Sequence, residues 1–99
     1  MQGITIKYLQ EYIKSKDHNP NLKHEFFLKL SEEVGELAQA IRKDPKRASE
    51  ANIKGTIEEE IWDVMYYCLV LANCYDIDID MEKWIPIKEN LSNEKWKKM

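Results

Sequence analysis

Glu58–Ala72 reads EEEIWDVMYYCLVLA, and from Ile61 to Ala72 every residue but Asp63 is apolar or aromatic. A helix that is hydrophobic around its whole circumference is normally covered by neighbours on every side, and a lone carboxylate inside it has to be paired or metal-bound. Glu60 stands three residues before Asp63, so the two carboxylates share one helix face. A second pair at the same spacing, Glu33 and Glu36, lies upstream in SEEVGELAQAI.

Working outward from this stretch, Thr56 with Glu59 fits a capping box, so the helix is expected to start there and run to about Tyr75. After it, DIDID offers Asp78 or Asp80 as the N-cap of a further helix beginning near Met81, and Pro86 predicts a kink or a late start in that helix. The basic tail NEKWKKM is expected to fray. Before the central stretch, KRASEANIKG from Lys46 to Gly55 is polar and small and reads as a mobile loop. Phe27, Leu30, Val34, Leu37, Ala38 and Ile41 recur at helical spacing, which predicts a helix from Asn19 as cap and Pro20 in the first turn to Lys43, with Pro45 preventing extension. Ile6, Leu9, Tyr12 and Ile13 predict a first amphipathic helix from Ile4 to about Lys16. DIDID alternates but has no partner segment, so no strand is expected and the fold class is all-α.

With 99 residues the chain makes one domain, 1–99, able to bury roughly 60–70% of its unfolded surface. Lys+Arg 15 against Asp+Glu 18 gives a net charge of -3, without the basic excess of a nucleic-acid binder. Lys95, Lys97 and Lys98 around Trp96 read as a solvated tail. The N-terminus lacks a basic region followed by an apolar run, and no stretch reaches the roughly 18 apolar residues of a membrane span. The expectation is a cytoplasmic protein with no membrane contact. Cys68 and Cys74 fit neither a CxxC motif nor a disulfide framework and read as free core thiols, and His18 and His24 as surface or helix-end residues.

Positions three apart differ by roughly 60° around a helix, so each acidic pair forms a strip beside an apolar stripe, and antiparallel packing lets the strips face each other. Desolvated like charges need a cation to hold them. The competing reading is a solvated acidic face in which Lys29 pairs with Glu33. Against it stands Asp63, whose neighbours Trp62, Val64, Met65, Tyr66 and Tyr67 offer no cation, although Tyr or Trp donors would satisfy it. Neither histidine has a glutamate three residues before it, which disfavours a di-iron bundle, and zinc prefers His or Cys. Hard carboxylate oxygens suit Mg2+ or Mn2+ with room for water and phosphate. A non-catalytic helical interaction module remains the alternative to an enzyme.

The motif Glu33-x-x-Glu36, a spacer, then Glu60-x-x-Asp63, with EEVGEL before the spacer and EIWDVMYYCLVLA after it, resembles the MazG-like all-α nucleotide pyrophosphohydrolases from about Leu30 to Ile79. The resemblance implies a four-helix-bundle-like, dimeric fold in which the four carboxylates hold Mg2+. The implied reaction is (d)NTP plus water to (d)NMP plus pyrophosphate, a housecleaning step on the nucleotide pool. Glu33 or its neighbour Glu32 would accept the proton of the attacking water. Lys88, Asn93 and Lys95 are the candidates for phosphate contact, at a spacing that departs from the family's, and Tyr67, one turn after Asp63, would reach the nucleotide. The apolar circumference of the central helix, more than three short helices can cover, adds the expectation of a homodimer.

Overall fold

The computed structural model describes residues 3–43, 53–79 and 81–97, with the backbone alone at 81 and 93–97. Thr5 opens α1 (Ile6–Lys16), its Oγ1 accepting the Tyr8 N–H at 3.0 Å. That hydroxyl satisfies one of the amides every helix start leaves unpaired, which is why the helix begins after Ile4 rather than at it. Ile13 is fully buried with Ile6 and Leu9 packed nearby, whereas Tyr12 is 46% exposed and Gln10 turns inward in its stead. Asn19 caps a 3-10 turn, Pro20–Leu22, by accepting the Asn21 N–H at 3.1 Å, and α2 (Lys23–Arg42) follows.

Thr56 caps α3 (Ile57–Cys74), accepting the Glu59 N–H at 3.2 Å. The return bond differs from a capping box. Glu59 Oε1 accepts from Gly55 N–H at 2.8 Å, one residue earlier, because the Thr56 N–H already donates to the Ile53 carbonyl at 3.1 Å. Gly55 has φ 78°, a left-handed conformation that glycine reaches without strain. At the other end Asp76, φ 55°, donates its N–H to the Asn73 carbonyl while Ile77 N–H reaches back to Ala72, the paired bonds of a Schellman stop. The chain then enters α4 (Met81–Lys97).

Pro86 lies inside α4, and the helix neither starts late nor ends early on its account. Lacking an N–H, it makes no bond to the Glu82 carbonyl, at a place where the side chains from Glu82 to Ser92 are all exposed. The choice between Asp78 and Asp80 as its cap turns on Asp80, which lies outside the described residues, as do Pro45 and most of the expected loop from Lys46. All described elements are helical, as the missing period-two pattern predicted.

Phe26 of α2 packs on the cluster of Leu69 and Val70 in α3, whereas Glu33 and Glu36 meet Glu60. Rising numbers on α2 thus match falling numbers on α3, so the helices run antiparallel. This pair is the main packing of the molecule, and α1 lies against α3 to complete the core around Ile13, Leu69 and Val70. Gln10 ties the three pieces together: its Nε2 donates to Asn73 Oδ1 at 3.1 Å and to the Ile77 carbonyl at 2.9 Å, and its Oε1 accepts the Ile79 N–H at 3.0 Å. Asn73 answers by donating to the Gln10 carbonyl at 2.9 Å. Tyr66 hydroxyl donates to Asp17 Oδ2 at 2.5 Å and fastens α3 to the end of α1.

Two sequence expectations need correcting. The inner face of α2 runs through Phe26, Leu30, Glu33 and Leu37, whereas Phe27, Val34 and Ile41 are 53%, 48% and 57% exposed. Cys68, expected in the core, is exposed, whereas the exposure of Ile61, Trp62 and Met65 in the first half of α3 agrees with the reading that three short helices cannot cover it. Both cysteines are free thiols, Cys74 buried.

Candidate metal centre

Antiparallel packing brings Glu33 and Glu36 of α2 against Glu60 of α3, with one oxygen from each within 4.8 Å of the others. Glu59, Glu60 and Asp63 form a second group on the same criterion, so Glu60 is common to both. Three of the four carboxylates singled out by spacing, Glu33, Glu36 and Glu60, thus come together, and Asp63 joins Glu60 in the second group with Glu59. Sequence reading assigned Glu59 to the helix cap, and the bond to Gly55 shows that it does cap. Its nearness to Asp63 was nevertheless legible, since positions four apart share a helix face.

Glu33 and Glu60 are buried, and each keeps one oxygen, Oε2, without a hydrogen-bond partner. Buried carboxylate oxygens without partners are costly unless a cation or proton meets them. Burial, followed by the charges of Asp63 and Glu33, pushes Glu60 above the usual carboxylate range. Asp63, half-buried, is raised by burial and then by the charges of Glu33 and Glu59, with Lys29 acting in the opposite direction. Hydrogen bonding with the Glu33 carboxyl, and then its charge, raises Glu36. These are the electrostatics of a site short of positive charge, and an all-oxygen donor set fits a hard divalent ion.

One cation does stand at the edge. Lys29 Nζ lies 3.2 Å from Glu33 Oε1 and 3.7 Å from Glu32 Oε1. The ion pair of the competing sequence reading and the carboxylate cluster thus coexist on Glu33, whose Oε1 meets Lys29 while its Oε2 is buried. Glu32 is exposed and belongs to neither acidic group. Tyr67 is half-buried, edge-on to Tyr66 with ring centroids 5.3 Å apart, and its ring centroid is 5.9 Å from Lys29 Nζ. Burial raises its hydroxyl above the usual phenol value, so it remains a donor. Lys88 is exposed on α4 and makes no ion pair with the carboxylates. Asn93 and Lys95 fall on the last turns of α4, where the backbone alone is described. His18 and His24 are both exposed, as expected.

Two antiparallel helices that turn acidic strips toward each other, with no histidine among the donors, define an all-α protein with clusters able to hold a metal ion. The chain belongs to the MazG family: residues 11–87 match the MazG nucleotide pyrophosphohydrolase domain. Solved structures of iMazG from Vibrio DAT 722 are similar throughout. One is 37% identical with a TM-score of 0.77 and matches 91% of this chain and 99% of its own. Another is 38% identical with a TM-score of 0.78, covering 93% and 97%. No curated protein matches the chain.

Proposed function

We propose that this chain, acting as one domain in the cytosol, is a magnesium-dependent nucleoside triphosphate pyrophosphohydrolase releasing a monophosphate and pyrophosphate. The observation that supports it best is the pair of buried, partnerless oxygens on Glu33 and Glu60, one from each facing helix. Glu33, Glu36, Glu60 and Asp63 would hold Mg2+, or Mn2+ in its place. Bound there, the ion supplies neutralisation of phosphate charge and acidification of a water. Glu33 or Glu32 takes the proton of the attacking water, and Glu32, exposed beside the cluster, is free to pass it to solvent. Tyr67 offers its hydroxyl to the nucleotide. Lys88, Asn93 and Lys95 of α4 meet the phosphates, which requires α4 to lie over a carboxylate cluster.

The association we propose is a homodimer or higher homo-oligomer. The chain exposes 8122 Å², against about 5,900 Å² for a compact monomer of its mass. Phe27, Val34 and Ile41 recur every seven residues on an exposed face of α2, beside Ile61, Trp62 and Met65 on α3. A groove of about 670 Å³ between Phe27, Leu71 and Tyr75 continues that surface. A second copy covers such a face with its own equivalent.

A screen of triphosphates with Mg2+ tests the reaction: pyrophosphate should appear, and release of orthophosphate alone would contradict it. Glu36→Gln and Asp63→Asn should each lose saturable Mg2+ or Mn2+ binding in calorimetry and lower the turnover by at least about 100-fold. Parent-like metal binding by both variants would remove the site.

A further inference from the structure

We propose that Lys29 links metal loading to phosphate binding: its ammonium holds Glu33 in the metal-free chain and passes to a phosphate oxygen of the substrate once a divalent ion occupies Glu33. This rests on the metal reading of the four carboxylates given above.

Glu33 is divided between two demands. Its Oε1 accepts from Lys29 at 3.2 Å, its Oε2 is buried with no hydrogen-bond partner, and its carboxylate also reaches oxygens of Glu36 and Glu60 within 4.8 Å. A divalent ion among those oxygens and an ammonium on the same carboxylate repel each other at such range. Lys29 is the one able to leave. Its side chain is 40% exposed whereas that of Glu33 is 7% exposed, so the ammonium approaches from the solvent side and returns to it without desolvation. Lys29 stands one turn before Glu33 on the same helix, so release needs side-chain rotation and no backbone movement. It also has somewhere to go. The side chain lies within reach of the Tyr67 ring, 5.9 Å from its centroid, and a mobile ammonium with three donors suits a phosphate arriving at that rim.

A lysine with a purely structural role would, when removed, weaken everything the site does. The proposal instead demands opposite signs from one substitution. Calorimetry on the full chain, first with Mn2+ alone and then with inorganic pyrophosphate added to Mn2+-saturated protein, reads both. Lys29→Met should bind Mn2+ about 2- to 5-fold more tightly, the worth of a half-exposed ion pair removed. It should bind pyrophosphate about 10-fold more weakly, the worth of a charge-assisted hydrogen bond lost. Lys23→Met deletes the same charge on the same helix further from Glu33 and should change neither. Tighter Mn2+ binding by both variants would reduce the effect to bulk charge and overturn the proposal. So would Mn2+ affinity unchanged or weakened in Lys29→Met, or pyrophosphate affinity unchanged. If the parent chain itself failed to bind Mn2+, the metal reading would fall and the proposal with it, whereas parent binding with an unresponsive Lys29→Met would sink the proposal alone.

Discussion

Glu60 sits where α3 turns its acidic strip toward α2, with its nearest charged neighbours negative, and the consequence is a measurable proton affinity. Burial and the charges of Asp63 and Glu33 raise it; Asp63 is raised the same way. In the metal-free protein both carboxyls therefore keep their protons to a higher pH in the folded chain than in the unfolded one. The stabilisation this gives is complete below the unfolded values, 4.5 for Glu60 and 3.8 for Asp63, and is lost as pH rises through the elevated folded values. In chelator-treated protein the stability of the parent relative to Glu60→Gln should accordingly fall as pH rises from 4.5. Denaturant midpoints at a series of pH values measure this difference, and parallel curves for the two proteins would contradict it. Added Mg2+ should lift the parent more than the variant at the upper end, because the ion takes the charged form.

The helices owe their ends to short side chains and their middles to packing. Thr5, Asn19 and Thr56 each place an oxygen on an amide of the first turn of α1, of the 3-10 turn before α2 and of α3; the caps at Asn19 and Thr56 were read from residue type, whereas the first helix was expected to start at Ile4, ahead of Thr5. The stop of α3 is less ordinary, since Asp76 occupies the left-handed position that glycine usually fills. Asp76→Gly removes the steric conflict of a Cβ at φ 55° and should raise stability by about 0.5–1 kcal/mol despite the greater freedom of glycine in the unfolded chain. Thermal unfolding at neutral pH decides it, and a lowered midpoint would show that the Asp76 side chain contributes more than its backbone strain removes. The rest of this corner is secured by Gln10, whose amide bonds join α1 to Asn73 and to the segment leading into α4. Nothing in sequence spacing announces that role, because Gln10 and Ile79 are far apart along the chain and a glutamine on α1 reads as surface.

For the molecule as a whole, the radius of gyration is 16.4 Å, against about 13 Å for a compact chain of this length. The excess reflects a small core at Ile13, Leu69 and Val70 and an α4 whose described side chains all face outward, among them Trp84, Ile85 and Leu91. A lone chain with this much apolar surface would be poorly soluble, so self-association is the expected state. Sedimentation equilibrium at micromolar concentration should give a multiple of the 11.8 kDa chain mass. Val34→Glu, at the centre of the exposed series on α2, should shift the protein toward monomer and expose apolar surface to a reporter dye. A monomeric parent that binds no dye would defeat the expectation.

What the sequence determined by itself is local. Helical class, the extents of α2 and α3 to within a few residues, and the pairing of acids three apart all follow from periodicity and capping chemistry acting within a few turns. The motif from Glu33 to Asp63 was legible for the same reason, since each half needs only its own helix. Tertiary structure decided which side of each helix faces inward. The α2 stripe read from spacing is split in a single chain, Leu30 and Leu37 lying inward and Phe27, Val34 and Ile41 outward, because two apolar series, one through Phe26 and one through Phe27, run side by side and periodicity cannot rank them. It also decided that Glu33 meets Lys29 and the carboxylate cluster at once, a matter of packing between α2 and α3 that no spacing along either helix encodes.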